Sequence, residues 1–139
     1  IYTGEDTLSL HDALPISGAH ALVTELHRRG KPLQGLVTGN TSATRGKANW
    51  GFFASTKAAQ RILAESIARE FGPRGIHVAY FIIDALIDTP RTRPVRAPNK
   101  PDEVFAKPAA IAEEMFRVAH QDRSTWSFRV ELRPFGEVW

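Results

Sequence analysis

Between Gly39 and Lys57 the chain reads GNTSATRGKANWGFFASTK, and here lie most of the side chains whose types and spacing bear on chemistry. The glycines and lysine first suggest a phosphate-cradling loop. Such a loop needs G-x-x-x-x-G-K-[ST], because backbone amides must curl round one phosphate and a hydroxyl must reach magnesium. Gly39 and Gly46 instead enclose six residues, and Ala48 follows the lysine. A longer loop does not form that nest and alanine ligates nothing, so this chemistry is excluded. Metal chemistry is not expected either: the five histidines lie far apart with no H-x-x-x-H pair, and there is no cysteine. The donors that remain are side-chain amides, hydroxyls and ammonium groups. Asn40 is a turn residue after a glycine, or an amide that donates to a developing oxyanion. Phe53 and Lys57, four apart, share one face of a helix. Taken alone, Lys57 is a solvated lysine and Phe53 a core or pocket-wall aromatic. Asp84, at a strand end, starts a turn or serves a polar site.

These residues need elements to position them. GAHALVTELHRRG places Leu22 and Leu26 on one helical face, with arginines in the last turn and Gly30 as a left-handed cap. LQGLVTG (Leu33 to Gly39) reads as a short strand. The next helix carries Ala59, Leu63, Ile67 and Phe71 as an apolar stripe, with Ile62 beside it, and Gly72-Pro73 as its cap and stop. IHVAYFII, apolar without alternation, is a strand covered on both faces. Pro108 opens a helix through Ile111, Met115, Val118 and Ala119. In FRVELRP, Phe128, Val130 and Leu132 face one way and Arg129 and Glu131 the other. Thr89 to Ala106, rich in proline, is expected to be a long irregular connection. Helix and strand thus alternate, which predicts a parallel sheet in an α/β layer fold. Trp50 and Phe52 are expected between helix and sheet or at a subunit contact.

Bulk properties narrow the function classes. With 139 residues the chain makes one domain, and 42% hydrophobic with 24% charged residues is an ordinary globular composition. The net charge of +3 is dispersed except in RTRPVRAPNK (Arg91 to Lys100), a solvated loop or one that attracts an anionic ligand. Nucleic acid is therefore not an expected partner. The longest apolar run, Val78 to Ile83, is far short of a membrane span. The lack of cysteine and of a basic-then-apolar leader gives the expectation of a cytoplasmic protein. Ile1 to Ser17, with TLSLHDALPIS, joins poorly to the regular pattern that begins at Gly18 and looks like translated sequencing-adapter DNA. Residues 1–17 are thus expected to be a non-native extension, and 18–139 the domain.

At this point the order of motifs resembles the short-chain dehydrogenase/reductase family. There a strand leads to a catalytic serine, followed by a tyrosine and, four residues later, a lysine. Lys57 takes the lysine place, Phe53 the tyrosine place and Asn40 the serine place. REFGPRGIHV is similar to the family's join into its sixth strand. Asp84-Ala85 stands where Pro-Gly is usual, and Ile87, Asp88, Thr89 and Pro90 complete the run. The resemblance implies the C-terminal half of a Rossmann-like doubly wound parallel sheet, about three strands and three helices, with one sheet edge unpaired. It implies Asn40, Phe53 and Lys57 as catalytic positions. Lys57, Asp84, Ala85, Ile87 and Thr89 become the contacts for NAD or NADP, and the substrate a small carbonyl or alcohol. The intact parent is implied to be a homo-oligomer. Phenylalanine has no proton to give, so the acid–base role is empty at Phe53. Thr38, Thr41 and Asp84 are candidates to replace it, and the sequence selects none. No glycine-rich first turn occurs, so the isolated chain is expected to be inactive. A catalytically silent subunit that binds a nucleotide or a partner is the alternative.

Overall fold

A segment apolar on both faces belongs inside a sheet, and His77–Ile83 lies there. The computed structural model describes residues 16–30 and 34–137. In chain order its elements are α1 (Ile16–Arg28), β1 (Gln34–Gly39), α2 (Gly51–Phe71), β2 (His77–Ile83), β3 (Leu86–Ile87), α3 (Thr92–Arg96), β4 (Phe105–Ala106), α4 (Pro108–Ala119) and β5 (Arg129–Leu132). β2 is the middle strand of a parallel sheet in the order β1-β2-β5. Its register runs from Gln34 opposite His77 to Gly39 opposite Ile82, and from Tyr80 opposite Arg129 to Ile83 opposite Leu132.

The two faces of β2 feed two cores. Val78, Tyr80 and Ile82 pack with Val37, Ala64, Ile67 and Phe71 beneath α2, and Val23 of α1 joins them. Ala79 and Phe81 meet Ile111, Met115 and Val118 of α4 on the other side. Helices on both faces of a parallel sheet are what crossover connections produce, and this is the expected three-layer α/β arrangement.

Several local expectations change. Among the α1 residues whose side chains are described, Val23 is buried and Leu26 packs against the core, whereas Leu22 is exposed. On α2, Ala59 and Ile62 are exposed, and the buried line runs through Ala64, Ile67 and Phe71. A strict four-residue step drifts round a helix with 3.6 residues per turn, so the stripe from Phe71 leaves the core face before Ala59. Gly72 is right-handed at φ −53°, and the chain takes a further 3₁₀ turn before Gly75 reverses it at φ +87°. Gly30 has the left-handed geometry expected of it, at φ +66°. Phe128 packs under α2, opposite to Val130 and Leu132, because the paired strand begins only at Arg129. Thr89 to Ala106 is not irregular throughout. It holds α3, a 3₁₀ turn at Asp102–Val104, and β4, which pairs in parallel with β3. Among the described residues both outer strands of the three-stranded sheet have an open side, where one open edge was expected. Leu33 and residues 1–15 of the anticipated extension lie outside the described residues, and α1 already begins at Ile16.

Candidate functional site at the carboxyl ends of the strands

Parallel strands end at one edge of their sheet. Asn40 follows β1, Asp84 follows β2 and Arg133 follows β5, so three connections leave that edge together. They are tied there. Thr41 Oγ1 donates to Asp84 Oδ1 at 3.3 Å, and Arg133 Nε donates to Asp84 Oδ2 at 3.1 Å. The Asp84 N–H reaches Leu132 O at 2.9 Å, and Arg133 Nη2 reaches Glu131 Oε1 at 2.9 Å. The Arg133 and Asp84 side chains are 13% and 17% exposed, which makes this a largely buried ion pair. Both carboxylate oxygens of Asp84 are therefore engaged, and the geometry is that of a tie between connections. Asp84→Ala takes this carboxylate away from a largely buried guanidinium, and we expect a loss of about 2 kcal/mol, with Asp84→Asn costing less. Urea denaturation checks this. An unchanged midpoint for Asp84→Ala would mean that the pair contributes nothing.

Asn40 starts the 3₁₀ turn Thr41–Ala43, and its Oδ1 accepts the Ser42 N–H at 3.0 Å. Its Nδ2 hydrogens have no partner among the described residues, so they are available to an oxygen of a ligand. The chain then climbs back to α2, whose first turns carry Phe53 and Lys57. The Lys57 ammonium lies 5.9 Å from the Phe53 ring centroid and donates to Gln60 Oε1 at 3.3 Å. Lys57 is half-buried along the helix, not extended into bulk solvent. Phe53 meets Trp50 edge to face at 5.5 Å between centroids. Trp50 is 46% and Phe52 88% exposed, so neither packs between helix and sheet, the first of the two places expected for them.

Beyond Asp84 and the bend at Ala85, β3 brings Leu86 and Ile87 alongside Phe105 and Ala106 of β4. The Asp88 N–H donates to Ala106 O at 2.9 Å. Backbone N–H groups alternate along a strand, so that of Ile87 faces away from β4. The Thr89 hydroxyl accepts the Thr92 N–H at 3.1 Å and lies 2.7 Å from the Thr92 hydroxyl. Arg93 grips Asp88 through two bonds of 2.6 and 3.0 Å and takes Asp102 at 2.6 Å. Its guanidinium lies 4.2 Å from the Phe105 ring centroid. This pairing holds the Asp88 carboxyl below its usual range and the Arg93 guanidinium above. The basic stretch Arg91 to Lys100 is thus in part a structural clamp.

A cavity of about 730 Å³ opens beside this clamp, lined in part by Arg93, Phe105, Lys107, Ile111, Arg133 and Phe135. None of the residues singled out from the sequence as catalytic or cofactor-binding lines it. The structure brings together Phe53 with Lys57, and Thr41 with Asp84. Arg93 and Arg133 were missed. Arg133 was detectable in principle, since it and Asp84 close two strands expected to be parallel. Arg93 gave no signal beyond its membership of a basic loop. No helix of the described residues is long and apolar enough to cross a membrane.

No protein-family model matches the chain, and no curated protein matches it either. Solved structures do. A short-chain dehydrogenase from Rhodopseudomonas palustris is similar at 30% identity and a TM-score of 0.64, over 86% of this chain and 47% of that one. An alcohol dehydrogenase from the archaeon Thermococcus sibiricus, complexed with 5-hydroxy-NADP, is similar at 22% identity and 0.63, over 95% and 60%. A 3-ketoacyl-(acyl-carrier-protein) reductase from Brucella melitensis, complexed with NADH, is similar at 17% identity and 0.62, over 93% and 62%. The chain has the Rossmann-like fold of these proteins and spans about half of their length.

Proposed function

We propose that this chain is the C-terminal half of an atypical NAD(P)-dependent short-chain dehydrogenase/reductase. Its whole form moves a hydride between the nicotinamide and a carbonyl or alcohol. The observation that carries this is the pair Phe53 and Lys57, one turn apart where α2 opens above the carboxyl ends of a parallel sheet. Likeness at 30% identity to a short-chain dehydrogenase supports it. In the 139-residue form the protein does not turn over, because the glycine-rich turn that holds a pyrophosphate is not in its sequence.

The donors present fit one end of such a cofactor. An ammonium at Lys57, a hydroxyl at Thr89 and a backbone N–H at Ile87 suit ribose hydroxyls and a carboxamide. When bound, the nicotinamide gives or takes the hydride. Lys57 holds the sugar. Asn40 Nδ2 donates to the substrate oxygen as charge develops on it. Ala85 would stand beside the ring, and Phe53 would form one wall of the site. Asp84, with both oxygens engaged, positions the connection that carries Thr41. The proton would come from water, relayed through the Thr38 or Thr41 hydroxyl, which takes a solvent proton as it passes its own on. The exposed Ile62 and Ala59 on α2 support a homo-oligomer, and the cysteine-free sequence a cytoplasmic one.

Phe53 favours a second reading, a catalytically silent subunit that binds a nucleotide or a partner. One series of measurements on the longer gene product, with the segment ahead of Gly18, decides between them. We expect NADPH or NADH to gain fluorescence on binding, and Lys57→Ala to weaken binding by about tenfold. Oxidation of the bound cofactor by any member of a carbonyl panel supports the dehydrogenase. Binding without turnover supports the silent subunit, and failure to bind either cofactor rejects both.

A further inference from the structure

The surface where α2 begins carries a row of four side chains. Lys47 Nζ lies 5.7 Å from the Trp50 ring centroid, Trp50 meets Phe53 edge to face at 5.5 Å, and Lys57 Nζ lies 5.9 Å from Phe53. Cation, indole, phenyl and cation therefore follow one another, and both rings keep more than a third of their surface open. The turn that builds the row is fixed. Asn49 takes the left-handed conformation at φ +66°, the Trp50 N–H donates to Lys47 O at 3.0 Å, and the Ala54 N–H donates to Trp50 O at 2.8 Å.

The charged residues of the segment that builds this surface have one sign. From Thr38 to Lys57 there are three cations, Arg45, Lys47 and Lys57, and no carboxylate. Asp84, a carboxylate that touches the segment at Thr41, is paired with Arg133. No acidic residue stands in the first turn of α2 and no side chain caps it. Lys57 is tied to Gln60, whereas Lys47 has only the indole for a partner among the described residues. Two open rings beside an uncommitted ammonium suit a ligand with a ring to stack and a negative charge to place.

We infer that the surface where α2 begins takes an aromatic carbonyl compound bearing a carboxylate, with Trp50 and Phe53 against its ring and Lys47 against its charge. The carbonyl rests on the dehydrogenase reading; the ring and the charge rest on this surface alone. A neutral aryl ketone makes only the ring contact, and an aliphatic keto acid only the charge contact. The acid with a ring makes both.

The test uses the 139-residue chain, with binding read from the Trp50 indole N–H resonance, assigned through Trp50→Phe. The probes are phenylpyruvate, phenylacetone and pyruvate. We expect phenylpyruvate to bind about fivefold more tightly than either of the others at low salt, and to lose that margin as salt rises. Lys47→Gln should bring phenylpyruvate to the level of phenylacetone while leaving the circular dichroism spectrum and Tm unchanged. Equal binding of the keto acid and the neutral ketone overturns the inference, as does an unmoved indole resonance with all three probes. A preference that survives Lys47→Gln overturns it as well. Cofactor binding by the longer protein is measured separately. A preference for phenylpyruvate in a protein that binds no nicotinamide would keep the aromatic-acid site and reject the dehydrogenase.

Discussion

Gly39→Ala destabilises the chain by about 3 kcal/mol, because the end of β1 has no space for a methyl group. A Cβ at this position falls 1.9 Å from Tyr80 Oη, 2.4 Å from Cζ and 2.9 Å from Cε1. The ring cannot swing aside, since Tyr80 is fully buried among Val37, Ala43 and Ile82. Its hydroxyl has no hydrogen-bond partner among the described residues, and burial pushes the phenol pKa up. Tyr80→Phe does not rescue Gly39→Ala, because Cζ still clashes. Tyr80→Val does so in part, and the double-mutant cycle then gives a favourable coupling. Chemical denaturation measures all four proteins, and a midpoint unmoved by Gly39→Ala would mean that the strand end yields. The same change reaches function, since Asn40 is the next residue and its amide is aimed by the end of β1.

Tyr80 and Gly39 also mark what a sequence reveals and what it leaves out. The unbroken apolar run of β2 announces burial on both faces, and alternating helices and strands leave few topologies other than a parallel sheet. These rest on periods, which a sequence displays directly. Contacts between remote residues are not periodic. Nothing in LQGLVTG says that its last glycine faces a tyrosine two strand positions before Ile82. Arg133 and Asp84 meet only because both strands stop at the same level, and Arg93 finds Asp88 and Asp102 only because α3 folds its loop back. Phe128 lies on the unexpected face for a related reason, since a period of two holds only where the backbone is paired. The pairing of Phe53 with Lys57, by contrast, was legible. It depends on helical spacing alone.

The same legibility makes Phe53→Tyr the most consequential substitution for chemistry. In the longer protein we expect it to raise kcat for carbonyl reduction by about 10²–10⁴, the usual contribution of a positioned general acid. The hydroxyl is added at the far end of a ring whose place in α2 is already set, and at 38% exposure it brings no new buried polar group. The Lys57 ammonium sits 5.9 Å from that ring, and a nearby cation favours the phenolate, so the new phenol titrates below an ordinary tyrosine. Reduction needs the protonated phenol, so the rate must fall as pH rises through its pKa. Lys57→Ala in the same background must move that limb to higher pH, because the ammonium that lowered the pKa has gone. Cofactor fluorescence and urea midpoints should match those of the unaltered protein, which separates a gain in chemistry from a gain in folding. A kcat unchanged by Phe53→Tyr, with fold and cofactor binding intact, would mean that position 53 does not face the reacting oxygen. The silent-subunit reading would then be the stronger, since a site lacking only its proton recovers when the proton is returned.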